Sequence, residues 1–278
     1  NTAIGRYAMH KMESGAANIA VGNNALENIT TGEGNVAIGN VAGGDLTTAT
    51  DNVFVGREAG NTTTGVDKTV IIGRSAGQGN LTAAADGTIA IGYQAMKEHT
   101  TGARNIAIGH QAMSSTNAGS TSLGSGDNVF IGYAAAAGTW TDAATNGNVG
   151  IGSYVMDAAM DGALYNTAVG SYAASAITSA DNVTAIGNSA AYSLTTGANN
   201  IAMGFRAMVV HTTGERNIAI GTEAMDDTDA GSNSLGSDDN IFIGHNAGGG
   251  TWTDADSNRN IAIGNYTMDA ATAGALDS

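Results

Sequence analysis

A five-residue phrase, Asn-Ile-Ala-Ile-Gly, recurs in close variants along the whole chain, as at 105–109 and 217–221. Fifteen copies end at Gly5, Gly22, Gly39, Gly56, Gly73, Gly92, Gly109, Gly132, Gly152, Gly170, Gly187, Gly204, Gly221, Gly244 and Gly264. The spacings between successive copies run 17, 17, 17, 17, 19, 17, 23, 20, 18, 17, 17, 17, 23 and 20. A period this short and steady means one small unit stacked on itself, which points to a solenoid and away from a globular domain.

Aligning the copies gives columns with physical meaning. One residue before the glycine stands a large aliphatic, such as Ile4, Val21, Ile38 or Ile263, and three before it a β-branched residue, such as Ile19, Val36 or Thr167. Residues two apart share a face of a strand, and β-branched groups suit a pleated surface. Each copy therefore reads as a short strand that points two aliphatic side chains into an interior. The residue between them, Ala20, Ala37, Phe54, Ala107, Phe130, Ala219 or Phe242, then faces the other way and is again apolar. A sheet with one wet face should alternate apolar with polar. Either a second layer of the same chain or sister chains must cover this column. A 17-residue turn has little chain to spare, which favours sister chains meeting along it.

Four before the glycine, Asn occupies twelve of the fifteen copies, including Asn18, Asn35, Asn52, Asn105, Asn128, Asn217, Asn240 and Asn260. Stacked amides can hydrogen-bond up and down a ladder, so the column is expected to be structural. After the glycine come a column of Ala, as at Ala25 and Ala112, and a column holding Met, Leu, Gly or Ala, as at Met96 and Met113. The methionines read as interior filler. Thr-Thr-Gly closes many units, and His99 and His211 precede it as turn residues.

Regular rungs cover 1–109, longer units 110–152, regular rungs 153–221 and longer units 222–278. Gly92, Gly109, Gly132 and Gly152 recur as Gly204, Gly221, Gly244 and Gly264, a constant offset of 112 positions. The added segments hold both tryptophans in matching phrases, Trp140-Thr141-Asp142 and Trp252-Thr253-Asp254. An exposed Trp beside Thr and Asp suits sugar stacking or protein contact; the plain alternative is a ring folded back to plug its own loop.

The chain has 278 residues, 41 of them glycine, with no proline and no cysteine, so thiolate metal sites and disulfides are excluded. Fifteen rungs at ~4.8 Å would stack to roughly 70 Å. Ten basic against 25 acidic residues give a net charge of −15, which argues against nucleic acid and anionic membrane surfaces as partners. No apolar run is long enough for membrane insertion by a helix. Opening and closing among repeats, the chain is expected to be an excerpt of a longer fibre.

Asp254, Asp256 and Asn258 match the start of a calcium loop, but the sixth position is Arg259 and no Glu follows at the twelfth, so the calcium signal is weak. No Ser-His-Asp set, P-loop or dinucleotide fingerprint interrupts the columns, and no enzyme is expected. Ice binding is the first rival, though the threonines sit in turns and not in a Thr-x-Thr strand column. A polysaccharide-active solenoid is the second, and it would need a cleft with clustered charged residues.

Segments 92–109 (GYQAMKEHTTGARNIAIG) and 204–221 (GFRAMVVHTTGERNIAIG) resemble repeats of phage tail fibres and of trimeric autotransporter adhesin heads of the YadA type. The resemblance covers essentially the whole chain. It implies a left-handed parallel β-roll wound as an intertwined homotrimer, placed outside a cell or on a virion, with a host-surface receptor, glycan included, as partner. The units of those adhesin heads are shorter, so the rung length of this chain is a departure.

Overall fold

The computed structural model describes residues 1–116, 124–140, 143–227, 236–250, 252–253, 257–270 and 272–273. The chain divides into two compact units, Asn1–Asn146 and Gly147–Ser278. Each is an all-β parallel solenoid built from three-residue strands. The first unit stacks eight of them: Thr2–Ile4, Ile19–Val21, Val36–Ile38, Val53–Val55, Val70–Ile72, Ile89–Ile91, Ile106–Ile108 and Val129–Ile131. The second stacks Val149–Ile151, Thr167–Val169, Thr184–Ile186, Ile201–Met203, Ile218–Ile220, Ile241–Ile243 and Ile261–Ile263. A short 3₁₀ turn at Ala83–Ala85 takes up the extra length between Gly73 and Gly92. No helix among the described residues is long and apolar enough to cross a membrane.

Pairing is parallel and in register column by column. Ala20 lies against Ala37, Ala37 against Phe54, and Phe54 against Ile71. The register survives the longest spacing, since Ala107 still meets Phe130. The glycine that ends each strand permits this closeness. Gly22, at φ +143°, lies against the Gly39 carbonyl of the next turn, so a Cβ there would collide with backbone. The turn that follows bends through left-handed residues at alternate positions, for example Asn24 at φ 58° and Leu26 at φ 48°. Such conformations cost roughly 1–2 kcal/mol at a residue with a side chain. Inter-turn bonds offset that cost: Leu26 N–H donates to Ala42 O at 3.0 Å and Asn24 N–H to Arg6 O at 2.9 Å.

The two faces of the strands are the reverse of the expectation. The middle residues Ala20, Ala37, Phe54, Ala107, Phe130, Ala219 and Phe242 are completely buried inside their own turn, so they form no trimer-facing column. The flanking residues face outward instead. Volume is the physical reason. Most turns already bury an Ala three residues after the glycine, and many a Met or Leu at the next position, such as Ala25 with Leu26 and Ala112 with Met113. A three-residue strand adds one side chain to that layer when its middle residue points in, and two branched ones when the flanks do. An interior this narrow accepts the single small group.

Side-chain volumes compensate across the core. Where the strand supplies Ala, as at Ala20, Ala90, Ala107, Ala202 and Ala219, the facing position supplies Leu26, Met96, Met113, Met208 and Met225, all buried. Where it supplies Phe54, Ile71 or Phe242, the facing position is Gly60, Gly77 or Gly248; Ala37 with Gly43 departs from this, and there a Cβ on Gly43 would meet Leu26 Cδ2 at 2.9 Å and Phe54 Cδ2 at 3.1 Å from the neighbouring turns. A Cβ at Gly77 would lie 2.7 Å from Ile71 Cδ1 and one at Gly248 2.6 Å from Phe242 Cδ1. Both columns belong to one packing problem.

Candidate functional site

Two features of the rungs could carry function: the outward aliphatic columns and the buried amide ladder with its histidines. The outward columns come first. Ile19 and Ile38 are 40% and 42% exposed in the first unit, Ile186 and Met203 38% and 37% in the second. Val36, Val53, Val55, Val70, Ile72, Ile89 and Ile91 continue the same face half-buried. In most rungs the strand thus presents two aliphatic groups toward the outside; Thr2, Thr167 and Thr184 are departures.

Beside these columns runs an exposed row of rings that the sequence columns did not single out. Tyr93 and His110 have centroids 5.0 Å apart, and His110 stacks on Tyr133 at 5.2 Å. The Arg74 guanidinium approaches the Tyr93 ring at 5.9 Å. In the second unit Tyr154 stacks on Tyr172 at 5.1 Å with the planes 9° apart. All of these lie one or two residues after the strand-ending glycine, which is the pattern that could have revealed them.

Inside, the Asn column is hydrogen-bonded. Asn35 Nδ2 donates to Asn18 Oδ1 at 3.0 Å and to Ala49 O at 2.8 Å, while Asn18 Oδ1 also accepts the Asn35 N–H at 3.0 Å. Asn52 repeats the pattern on Asn35 at 3.0 Å. Asn128 does so on Asn105 at 3.1 Å, Asn217 on Asn200 at 3.2 Å, Asn240 on Asn217 at 3.0 Å and Asn260 on Asn240 at 3.0 Å. Buried amides satisfied in this way remove the cost of burying polar groups. A second row runs through the turns. Asp67 Oδ1 accepts the Thr50 N–H at 2.6 Å, Asp86 Oδ1 the Asp67 N–H at 2.8 Å and Asp181 Oδ1 the Leu164 N–H at 2.7 Å.

His99 and His211, the turn residues before Thr-Thr-Gly, are fully buried in the core. They occupy the place filled by Ile29, Leu46, Ile177 and Leu194 elsewhere, seven residues after the glycine. His99 Nδ1 lies 3.0 Å from Thr116 Oγ1, and its Nε2 lies 3.2 Å from Gly102 O and 3.3 Å from Asn105 Nδ2. His211 Nε2 lies 3.1 Å from Asn217 Nδ2. Burial holds His99 below the usual histidine range, and the Gly102 carbonyl partly counters that shift.

Trp140 takes the folded-back alternative and corrects its assignment to a receptor contact. Trp140 is not exposed: its ring is completely buried and meets Phe130 edge to face, centroids 6.1 Å apart. The chain running on from Gly132 returns the ring to the core layer beside the large Phe, so it offers no face to a sugar. Its Nε1 is buried without a hydrogen-bond partner. Trp252–Thr253 form a two-residue strand parallel to Thr272–Ala273. Thr141, Asp142, Asp254 and Asp256 lie outside the described residues. Asn258, the third member of the calcium pattern, uses its Oδ1 to accept the Asp238 N–H at 2.6 Å. No cluster of three or more His, Cys, Asp or Glu that could hold a metal occurs among the described residues.

Charge on the described surface is organised locally. Arg104 forks onto Asp127 with bonds of 2.6 and 2.7 Å, and Arg216 reaches Asp239 at 2.6 Å and Glu215 at 2.7 Å. The Arg104 guanidinium holds the Asp127 carboxyl below the usual carboxylate range. Asp226 goes the other way. Burial first, then the Glu223 and Asp227 carboxylates, push it up to about 6.

No protein-family model and no curated protein matches the chain.

Proposed function

We propose that this chain is a structural and adhesive segment of a homotrimeric fibre, displayed on an extracellular or virion surface and used for attachment to a receptor. The outward aliphatic columns carry the reading. A contiguous apolar face on a solenoid leaves surface that water penalises, and faces of this kind mark contacts with other proteins. A second and third copy of the same chain present the same periodic face, so the columns can meet in register. The resemblance to tail-fibre and adhesin-head repeats supports the same assignment, as does an acidic surface that keeps neighbouring assemblies apart.

The test is the mass in solution by light scattering, with the aliphatic face altered. The wild-type chain is expected at three times the mass of one chain, and Ile19→Lys with Ile38→Lys is expected to shift it toward a single chain. A monodisperse single-chain species of the wild type at micromolar concentration refutes the fibre assembly. Binding to a glycan array or to intact cells then tests attachment separately, and a trimer that binds neither limits the segment to a shaft.

A further inference from the structure

The buried histidines interrupt an aliphatic column at a particular place. His99 sits in the turn just before the longest rung, where the chain leaves the regular path after Met113. Its contacts tie that departure to the amide ladder. Thr116 Oγ1 donates its proton to Met113 O at 3.3 Å, so it accepts from the imidazole Nδ1–H at 3.0 Å. That leaves Nε2 as the unprotonated nitrogen, 3.3 Å from Asn105 Nδ2 and 3.2 Å from the Gly102 carbonyl. Asn105 in turn supports the next rung: its Oδ1 accepts both the backbone N–H and the Nδ2 of Asn128, each at 3.1 Å.

We propose that the His99–Asn105 contact is an acid-sensitive joint in the buried amide ladder, and that proton uptake by the imidazole opens the ladder between Asn105 and Asn128 while the regular rungs stay closed. Protonation puts an N–H on Nε2, 3.3 Å from the Asn105 Nδ2 donor and 3.2 Å from the Gly102 carbonyl, and places a positive charge in the buried layer. The new N–H also competes with Asn105 for the Gly102 carbonyl, which Asn105 Nδ2 holds at 2.8 Å. No counter-charge among the described residues compensates. Burial and the Gly102 carbonyl are the influences on the ring, and Lys97 and Glu98 beside it pair with each other at 3.9 Å on the surface. The neighbouring turns contribute Gly79, beside the His99 carbonyl, and Thr116, neither of them charged.

The direction with pH follows from the burial. The closed joint holds its imidazole neutral to lower pH than an opened joint, where a histidine titrates near 6.5. Closure is therefore fully stabilised above that value and weakens as pH falls below it. His211 repeats the burial and the Asn contact at Asn217. Aliphatic residues serve the same position in other turns, so the histidine is not required for packing.

Amide hydrogen exchange on the full chain tests the joint. The reporters are Met113, whose N–H donates to Ala135 O at 2.8 Å, and Asp127, whose N–H donates to Ala103 O at 3.1 Å, together with Asn128. Ile19 and Val36, both donating across turns at 2.8 Å, are the controls. Between pH 7.5 and 5, after correction for intrinsic exchange, the three reporters are expected to lose protection by about tenfold or more while the controls hold. His99→Leu, the residue found at Leu46 and Leu194, and His99→Gln, which accepts from Asn105 but gains no proton, are each expected to abolish that loss. Equal loss in wild type and both variants overturns the proposal, as does an unchanged wild type or a loss that spreads equally to the controls.

Discussion

The regular rungs from Gly22 to Gly56 and the lengthened rung from Gly109 to Gly132 build the same cross-section from different amounts of chain. In the regular run every turn keeps the basic period, and Leu26, Ile29 and Leu46 fill the layer facing the strands. The lengthened rung puts more chain between its glycines, yet Ala107 still pairs with Phe130 and Asn105 still bonds to Asn128. Strand and amide positions are held constant, and the extra residues are absorbed between them. The substituted part is the aliphatic filler, which becomes His99, Thr116 and Trp140 around the insertion. A ladder of specific hydrogen bonds fixes register, whereas apolar packing tolerates any group of suitable volume.

Packing in the regular run should break most severely at Phe54. Phe54→Ala is expected to cost about 3–5 kcal/mol in chemical denaturation, as for other buried aromatics. Adding Gly60→Met recreates the Ala90–Met96 combination found in the Gly92 rung and is expected to recover part of that loss. On its own, Gly60→Met is expected to be destabilising by about 1–3 kcal/mol through overpacking. A double variant as unstable as the two losses added would show that the columns do not compensate.

The ladder sharpens the comparison between the two regions. Asn35→Leu removes the amide partner of the Ala49 carbonyl and of two groups of Asn52, and Asn105→Leu removes that of the Ser125 carbonyl and of two groups of Asn128. Asn52 Nδ2 keeps the Val66 carbonyl and Asn128 Nδ2 the Thr145 carbonyl, so each variant is expected to lower stability by roughly 2–4 kcal/mol, the lower part of the ~1–3 kcal/mol range for each of the two remaining groups. If the amides rather than the filler fix register, the two losses agree within about 1 kcal/mol. A negligible loss at Asn105 would mean that the lengthened rung is held by its strand alone.

The smallest effect is expected at Asp226, beside the second long insertion. Its carboxyl is raised to about 6 from 3.8, so the folded state keeps the proton to higher pH and stability falls as pH rises through that window. Asp226→Asn should raise Tm at pH 8 and lose its advantage below about pH 4. Partial solvent screening keeps the gain to about 0.5 kcal/mol. An advantage independent of pH would assign it to hydrogen bonding and not to charge.

Much of the molecule was legible before any coordinates. The spacing of the glycines located every main strand and the parallel solenoid, because a repeat that cannot bury its own apolar face must stack on its neighbours. The Asn column was visible too, but its carbonyl partners, such as Gly32 for Asn18, lie on the next turn, 14 residues on in the regular rungs and 20 on for Asn105 at the insertion. For a related reason, the burial of His99 and Trp140 was not decided by the sequence. Proximity to Thr-Thr-Gly or to Asp reads as surface, while burial is set by the turn above and the turn below.

The repeat by itself determined the period, the strand positions and the parallel pairing. It left open which face of each strand points inward, because Ile-Ala-Ile is apolar on both sides and its alternation has no sign. Only the closed turn decided that. Ala25, Leu26 and their counterparts already occupy the interior, and the space left across from them fits the single middle residue of a strand, small beside Met or Leu and large beside Gly. The branched pair is thereby turned outward, and the surface available for assembly follows from a limit on interior volume.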